Sequence, residues 1–155
     1  MAAASRAEVT LVAGLGNVLR GDDGVGIHVV RRLRARPLGE RVALEELGTV
    51  GPGLLELVLG YRRLIVIDAI QSGAAPGTIH ELRPEALLGH ADASTHSGLA
   101  SALALAAELG VELPPLAIVA VEVAELACYA EGLTPEVEGA VEAACEAVEA
   151  LLRAT

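Results

Sequence analysis

The chain alternates short aliphatic runs with longer segments whose apolar residues recur at helical spacing. Continuous apolar runs are typical of parallel strands covered on both faces, and right-handed helical crossovers join such strands. The sequence therefore predicts an α/β fold, with one domain over residues 1–155 built as a three-layer α/β/α sandwich around a mostly parallel sheet of about five strands. The predicted strands are 9–15, 42–47, 64–70, 77–82 at an edge, and 116–123. The predicted helices are 25–33, 51–59, 97–109 and a last helix from 135 to 152, with Thr134 as its N-cap.

The charge balance limits the partners of the chain. Its 155 residues carry 11 basic and 21 acidic side chains, a formal net charge of −10, whereas a nucleic-acid binder needs clustered cations. No apolar run reaches the roughly 18 to 20 residues of a membrane span, and the start of the chain makes a poor signal peptide. Cys128 and Cys145 lie too far apart for a metal or redox motif, and Cys145 falls on an apolar helical stripe as a core thiol would. These features predict a soluble cytoplasmic protein that binds neither nucleic acid nor membrane.

A glycine-rich turn follows the first predicted strand. The dinucleotide-binding fingerprint needs a third glycine where this chain has Leu19, and a P-loop is excluded because the chain contains no lysine. Gly14 and Gly16 therefore indicate a tight turn and close approach of the backbone rather than a nucleotide site.

Asp22 and Asp23 open the helix predicted after this turn. Such acids can cap free N–H groups and interact favourably with the positive end of the helix dipole. One acid is enough for that role, so the second, held between Gly21 and Gly24, is available to a ligand. The sequence leaves both interpretations open.

Asp68 interrupts the aliphatic residues of the predicted central strand near its carboxyl end. A buried carboxylate is costly unless it is hydrogen-bonded, paired or metal-bound, and sites in open α/β sheets form at this edge. Asp68 therefore either bonds to loop amides or belongs to a functional site.

His96 precedes the helix 97–109, whose positive end favours the neutral imidazole that binds metals. Two carboxylates and one imidazole suit Zn²⁺, Ni²⁺ or a similar ion, provided that the fold brings Asp23, Asp68 and His96 together.

The other polar residues give weaker signals. Solvation is the default expectation for the three other histidines, which are His28, His80 and His90. Ser94 or Ser97 is expected to cap the helix that follows. The arginines within 31–36 are expected to be solvated at a helix C-terminus or, as the alternative, to dock an acidic partner.

Six short motifs follow one another along nearly the whole chain. They are Gly14-Leu15-Gly16-Asn17-Val18-Leu19-x-x-Asp22-Asp23-Gly24-x-Gly26, Gly48-Thr49-x-Gly51 with Leu54-Leu55, Ile67-Asp68-Ala69, Pro76-Gly77-Thr78, Ser94-Thr95-His96 and Gly132-Leu133-Thr134-Pro135-Glu136-Val137. In this order they resemble the [NiFe]-hydrogenase maturation endopeptidases, whose opening motif is G-x-G-N-x-L-x-x-D-[DE]-G-x-G. That opening motif is the most specific of the six.

The resemblance implies a peptidase that removes a C-terminal extension from a hydrogenase large-subunit precursor after nickel insertion. It implies Asp23, Asp68 and His96 as the metal-contacting residues, with Asp23 and Asp68 as the catalytic carboxylates. Nickel would arrive with the precursor, and another divalent ion could occupy the site in vitro. The further residues that the motifs place behind the site or against the substrate are Asn17, Asp22, Gly24 and Thr49.

Two mechanisms are compatible with these residues. The precursor's nickel would act as a Lewis acid or activate water, or Asp23 and Asp68 would share a proton as in an aspartyl-type peptidase while nickel serves recognition only. The chain departs from the family pattern at Leu47, where a glycine is usual, and in 121–124, which lack the usual Pro-Glu pair. These departures motivate one alternative, a module of the same fold that binds metal or precursor without cleaving it.

Overall fold

The computed structural model describes residues 3–89, 97–124 and 129–154. Its strands are β1 (Thr10–Leu15), β2 (Val42–Gly48), β3 (Arg63–Ile70), β4 (Ile79–Leu82) and β5 (Leu116–Glu122). Its α-helices are α1 (Val25–Leu33), α2 (Leu54–Val58), α3 (Pro84–Gly89), α4 (Leu99–Leu109), α5 (Pro135–Glu138) and α6 (Val141–Arg153). Short 3₁₀ turns cover Arg6–Glu8, Gly21–Gly24 and Gly51–Gly53.

The five strands form one sheet in the order β2-β1-β3-β5-β4. β1 pairs in parallel with β2 and β3, and β3 pairs in parallel with β5, whereas β4 runs antiparallel to β5 at the edge. This confirms the predicted α/β fold with a mostly parallel sheet, including the edge position of the strand predicted at 77–82. β3 is the central strand, and all of its residues after Arg63 are buried, as its continuous aliphatic run requires.

Helices cover both faces of the sheet and complete the three predicted layers. α1 and α6 pack on one face, against side chains such as Ile65 and Ile67. α2 and α4 pack on the other face, against Leu64 and Val66. Successive β3 side chains point to opposite faces, so both layers draw on the same strand. Cys145 is fully buried in the first layer with a free thiol, which confirms it as a core residue.

The last helical segment begins at Pro135 with Thr134 in the N-cap position, as predicted, but it is not continuous. α5 ends at Glu138, and α6 begins at Val141. The interruption falls at Gly139, the residue of lowest helix propensity after Pro135, where the Ala140 N–H bonds to the Val137 carbonyl in a tight 3₁₀ pattern. The prediction of one unbroken helix from 135 to 152 was therefore wrong.

Three other helical segments differ from the prediction for local reasons. α4 begins at Leu99 because Gly98 has a φ of 87°, and it ends at Leu109, as predicted, because Gly110 follows with a φ of 67°. The segment predicted as helix 51–59 divides into a 3₁₀ turn and α2. α3 has only six residues, too few for a helical period to be visible in the sequence. In the described ranges, none of the helices is both long and apolar enough to cross a membrane.

Candidate active site

The turn after β1 is built around a glycine that no other residue can replace without a shift. Gly16 has a φ of 111°, and a Cβ atom on it would lie 1.9 Å from the carbonyl oxygen of Asp23. The chain can therefore fold back on itself here, so that the 3₁₀ turn Gly21–Gly24 lies directly over the end of β1. We call Gly21–Gly24, which carries Asp22 and Asp23, the site turn. This close approach places both acids of the turn in the protein interior, with exposed fractions of 4% for Asp22 and 1% for Asp23.

The two carboxylate oxygens of Asp23 differ in their hydrogen bonding. Its Oδ2 accepts a hydrogen bond from the backbone N–H of Asn17 at 2.8 Å. Its Oδ1 is buried and has no hydrogen-bond partner among the described residues. A buried carboxylate oxygen without a donor is costly, so this atom is the natural position for a ligand of the site.

Asp22 serves a different purpose from its neighbour. It accepts hydrogen bonds from the backbone N–H and from the hydroxyl of Thr134, each at 2.8 Å. Neither acid caps α1, whose N-cap is Gly24 and has no side-chain cap. The capping interpretation of the two acids was therefore wrong, because Asp22 instead ties the site turn to the start of α5.

Asp68 lies fully buried near the carboxyl end of β3. Its Oδ2 accepts the hydroxyl of Ser97 at 2.5 Å, and its Oδ1 accepts the backbone N–H of Ala69 at 2.9 Å. Ser97 Oγ in turn accepts the N–H of Leu99, the first residue of α4, at 3.3 Å. Ser97 thus caps α4, as expected, and also fixes the Asp68 carboxyl group.

Burial raises the pKa of Asp68 to about 7, although the hydrogen bonds from Ser97 and Ala69 act in the opposite direction and the negative charge of Asp23 adds to the increase. Asp68 therefore exchanges its proton near neutral pH, which is the range that suits acid–base chemistry. The turn Gly21–Gly24 contacts β3 as well as the end of β1, so the two carboxyl groups, distant in sequence, lie at the same edge of the sheet.

Glycines bring α1 and the site turn close to the sheet. A Cβ atom on Gly26 would lie 2.2 Å from the Ile67 carbonyl oxygen of β3, and one on Gly24 would lie 2.6 Å from the Cα atom of Val18. The first turn of α1 therefore packs directly against the strand that carries Asp68. Gly24, a predicted site residue, permits the close packing on Val18 because it has no side chain.

A cavity of about 330 Å³ opens beside the Asp23 turn. Its lining includes the predicted residues Asn17 and Thr49, together with Gly16 and Gly48. Asn17 Oδ1 accepts the N–H of Leu19 at 2.9 Å, while its backbone N–H holds Asp23. The cavity thus reaches Asn17, whose backbone N–H bonds to Asp23, although Asp23 itself does not line it.

The third predicted metal-contacting residue, His96, lies outside the described residues, as do Ser94, His90 and Cys128. Ser97, the residue next to His96, is bonded to Asp68. Within residues 3–89, 97–124 and 129–154, no three His, Cys, Asp or Glu side chains form a group that could hold a metal ion. A metal site with three protein ligands at Asp23 and Asp68 would therefore need a ligand from an undescribed segment.

Two histidines differ from the default expectation of solvation. His80 Nε2 lies 3.1 Å from Oε1 of Glu122, a carboxylate that is 1% exposed and that also accepts the N–H and the hydroxyl of Ser72. Burial alone would raise the pKa of Glu122, and these hydrogen bonds outweigh it, so the pKa is lowered. His28 has a buried Nε2 without a hydrogen-bond partner in the described structure, and burial together with the charge of Arg31 lowers its pKa.

The Glu122 cluster was not predicted, although the sequence carried a signal for it. Glu122 ends the apolar run of β5 in the same way that Asp68 lies near the end of β3, and the two strands are paired in parallel, with Ile70 opposite Glu122. An acid at the end of a buried strand indicated a bonded carboxylate in both cases.

Sequence and structure comparisons identify the class of protein to which this α/β sandwich and its two buried carboxyl groups belong. The chain belongs to the hydrogenase maturation protease family, whose model matches residues 27–151. It is 37% identical over 148 residues to the hydrogenase 2 maturation protease of Escherichia coli K12, covering 92% of this chain and 90% of that protein. It is 34% identical over 154 residues to the hydrogenase expression/formation protein HupD of Rhodobacter capsulatus, covering 96% and 73%.

Solved structures agree with this assignment. The hydrogenase maturating endopeptidase HybD from Escherichia coli superposes with a TM-score of 0.77 at 36% identity, covering 94% of this chain and 92% of that chain. The [NiFe] hydrogenase maturation protease HybD from Thermococcus kodakarensis gives 0.75 at 27% identity, covering 93% and 99%. The protein is therefore a peptidase of hydrogenase maturation.

Proposed function

We propose that this peptidase removes the C-terminal extension of a [NiFe]-hydrogenase large-subunit precursor, and that it does so only after nickel has been inserted. The observation that carries the proposal is the two buried carboxyl groups of Asp23 and Asp68, of which Asp23 keeps one oxygen without a partner among the described residues. A carboxylate oxygen held in this way suits a cation, whereas an apolar side chain could not satisfy it.

The nickel ion is substrate here, because it is bound to the precursor when the two proteins meet. Asp23, Asp68 and His96 would contact it, supplying two carboxylates and one imidazole. The covalent link of His96 to Ser97, which bonds to Asp68, supports its inclusion. Another divalent ion could occupy the same side chains in vitro.

Two chemistries remain available to these carboxyl groups. The nickel of the precursor would polarise the scissile carbonyl or activate water, or Asp68 would supply a proton and Asp23 would accept one while nickel serves only recognition. The pKa of Asp68, about 7, supports its role as the group that carries a proton near neutral pH. Both chemistries need the two carboxyl groups in their present positions.

The other predicted residues would bind or support the substrate. Asn17 and Thr49 would contact the precursor in the cavity of about 330 Å³, since both line it. Asp22 would keep the site turn in place through Thr134, and Gly24 through its close packing on Val18. We place the reaction in the cytoplasm, where reducing conditions agree with the free thiol of Cys145.

The test compares nickel-loaded and nickel-free precursor, with the mass of the large subunit as the readout. The wild type should shorten only the nickel-loaded form. Asp23→Asn, Asp68→Asn and His96→Gln should each reduce the rate by at least about 100-fold, the range expected for a lost catalytic group. Glu56→Gln, which alters an exposed acid on α2, is the matched control and should be fully active. Cleavage of neither precursor form, or full activity of Asp23→Asn together with Asp68→Asn, would refute the proposal.

A further inference from the structure

Two arginines of the first helical segment share one carboxylate beside the cavity. Arg31 Nε donates to Glu46 Oε1 at 3.0 Å, and Arg34 Nη2 donates to Glu46 Oε2 at 3.2 Å. The three side chains therefore carry a net charge of +1 in a chain whose net charge is −10. Arg31, Arg32 and Arg34 are about half-exposed near the end of α1, as expected of solvated side chains. The cluster also forms further ion pairs, of Arg32 with Glu138 and of Arg36 with Glu142 and Glu149.

Arg31 differs from the other arginines in its position. It lines the same cavity as Asn17 and Thr49, and its side chain is 53% exposed. Within the described ranges its guanidinium donates through Nε alone. Glu46 thus holds the side chain in place, while the two terminal nitrogens keep the fork geometry that binds carboxylates in a bidentate manner.

Arg31 lies six residues after Val25, the first residue of α1, which corresponds to about 9 Å along the helix axis. An extended peptide covers that distance in about three residues. A peptide that runs along the cavity from the first turn of α1 therefore reaches Arg31 after about three residues.

We propose that Arg31 is a specificity-determining residue that binds a carboxylate of the cleaved C-terminal segment. The cleaved segment always contains one anionic group, its terminal carboxylate, and an Asp or Glu side chain supplies the same chemistry. The local charge of +1 complements such a group, whereas the acidic remainder of the surface repels it. This inference rests on the proposed function of the site.

The experiment uses the full enzyme and the nickel-loaded precursor in three forms. One form is native, one has every Asp and Glu of the extension replaced by Asn or Gln, and one has a Gly-Ser-Gly-Ser tail that moves the terminal carboxylate away. Arg31→Gln should lower kcat/KM on the native precursor about tenfold, mainly through KM. Arg31→Lys should recover part of this loss because it keeps the charge without the fork.

The loss should disappear on one of the two altered precursors, which identifies the source of the carboxylate by the logic of a double-mutant cycle. Arg153→Gln removes one charge from the exposed end of α6 and should behave as the wild type on all three forms. Thermal unfolding of Arg31→Gln, at a half-exposed position, verifies that the fold is intact.

Wild-type kinetics for Arg31→Gln on the native precursor would overturn the inference. An equal loss of kcat/KM on all three forms would overturn it too, because the effect of Arg31 would then not depend on binding a carboxylate. If the wild type cleaves none of the nickel-loaded forms, the proposed function itself fails, and that outcome is separate from both of these.

Discussion

Ser97 donates a 2.5 Å hydrogen bond to the buried carboxyl group of Asp68 and thereby links the N-terminus of α4 to the carboxyl end of β3. The same oxygen of Ser97 accepts the Leu99 N–H, so one hydroxyl group both caps the helix and holds the acid. His96, the predicted third metal contact, is the residue before Ser97 in the sequence.

Asp68→Asn should change how stability depends on pH. The pKa of Asp68 is raised from 3.8 to about 7 in the folded protein, so the folded state holds its proton to higher pH than the unfolded chain does. The contribution of Asp68 to stability is therefore fully present below about pH 4 and is lost as the pH rises through 7, a fall of about 4 kcal/mol. Asn carries no charge, so the variant should lack this fall and exceed the wild type in stability at pH 8.

Urea unfolding at pH 4, 6 and 8 measures this difference. Glu56→Gln, at an exposed position, should follow the wild-type curve and serves as the control. Parallel curves for wild type and Asp68→Asn would mean that Asp68 is not protonated in the folded protein near neutrality.

Ser97→Ala should raise the pKa of Asp68 further, because the hydroxyl hydrogen bond stabilises the ionised carboxylate. It should also lower the free energy of unfolding by about 1–3 kcal/mol through loss of a buried hydrogen bond to a charged group. In a pH profile of kcat/KM on the nickel-loaded precursor, the limb that reports Asp68 should move to higher pH. Ser97→Thr, which keeps the hydroxyl, is the comparison, and an unmoved limb in Ser97→Ala would contradict the expectation.

Asp22 and Thr134 should show coupled effects on stability. Asp22→Ala removes two hydrogen bonds of 2.8 Å, whereas Thr134→Val removes only the one made by the hydroxyl group. Asp22→Ala should therefore cost more, about 2 kcal/mol in the free energy of unfolding, because it leaves the Thr134 N–H without its acceptor. Unfolding of both single variants and the double variant measures the coupling, and strictly additive losses would argue against the contact.

The sequence predicts most of this fold but only part of the site. Continuous aliphatic runs such as that of β3 identify buried strands whatever surrounds them, and the single acid in that run identified Asp68. The contact of Asp22 with Thr134 joins residues 112 positions apart, so no local sequence pattern predicts it. For the same reason the sharing of Glu46 by Arg31 and Arg34 depended on how β2 lies beside α1, which only the folded chain reveals.

Gly24→Ala and Gly53→Ala separate tight packing from backbone freedom, since both glycines have negative φ values, −82° and −62°. A Cβ atom on Gly24 would lie 2.6 Å from the Cα atom of Val18, whereas one on Gly53 meets no atom of the described residues within 4 Å. Gly24→Ala must therefore displace the site turn, at a cost of about 1–3 kcal/mol, and should reduce cleavage of the nickel-loaded precursor. Gly53→Ala should leave activity unchanged and raise stability by about 0.4–1 kcal/mol, because it restricts only the unfolded chain. Thermal unfolding with a cleavage assay on both variants decides the matter, and equal behaviour of the two would show that the turn tolerates a methyl group at Gly24.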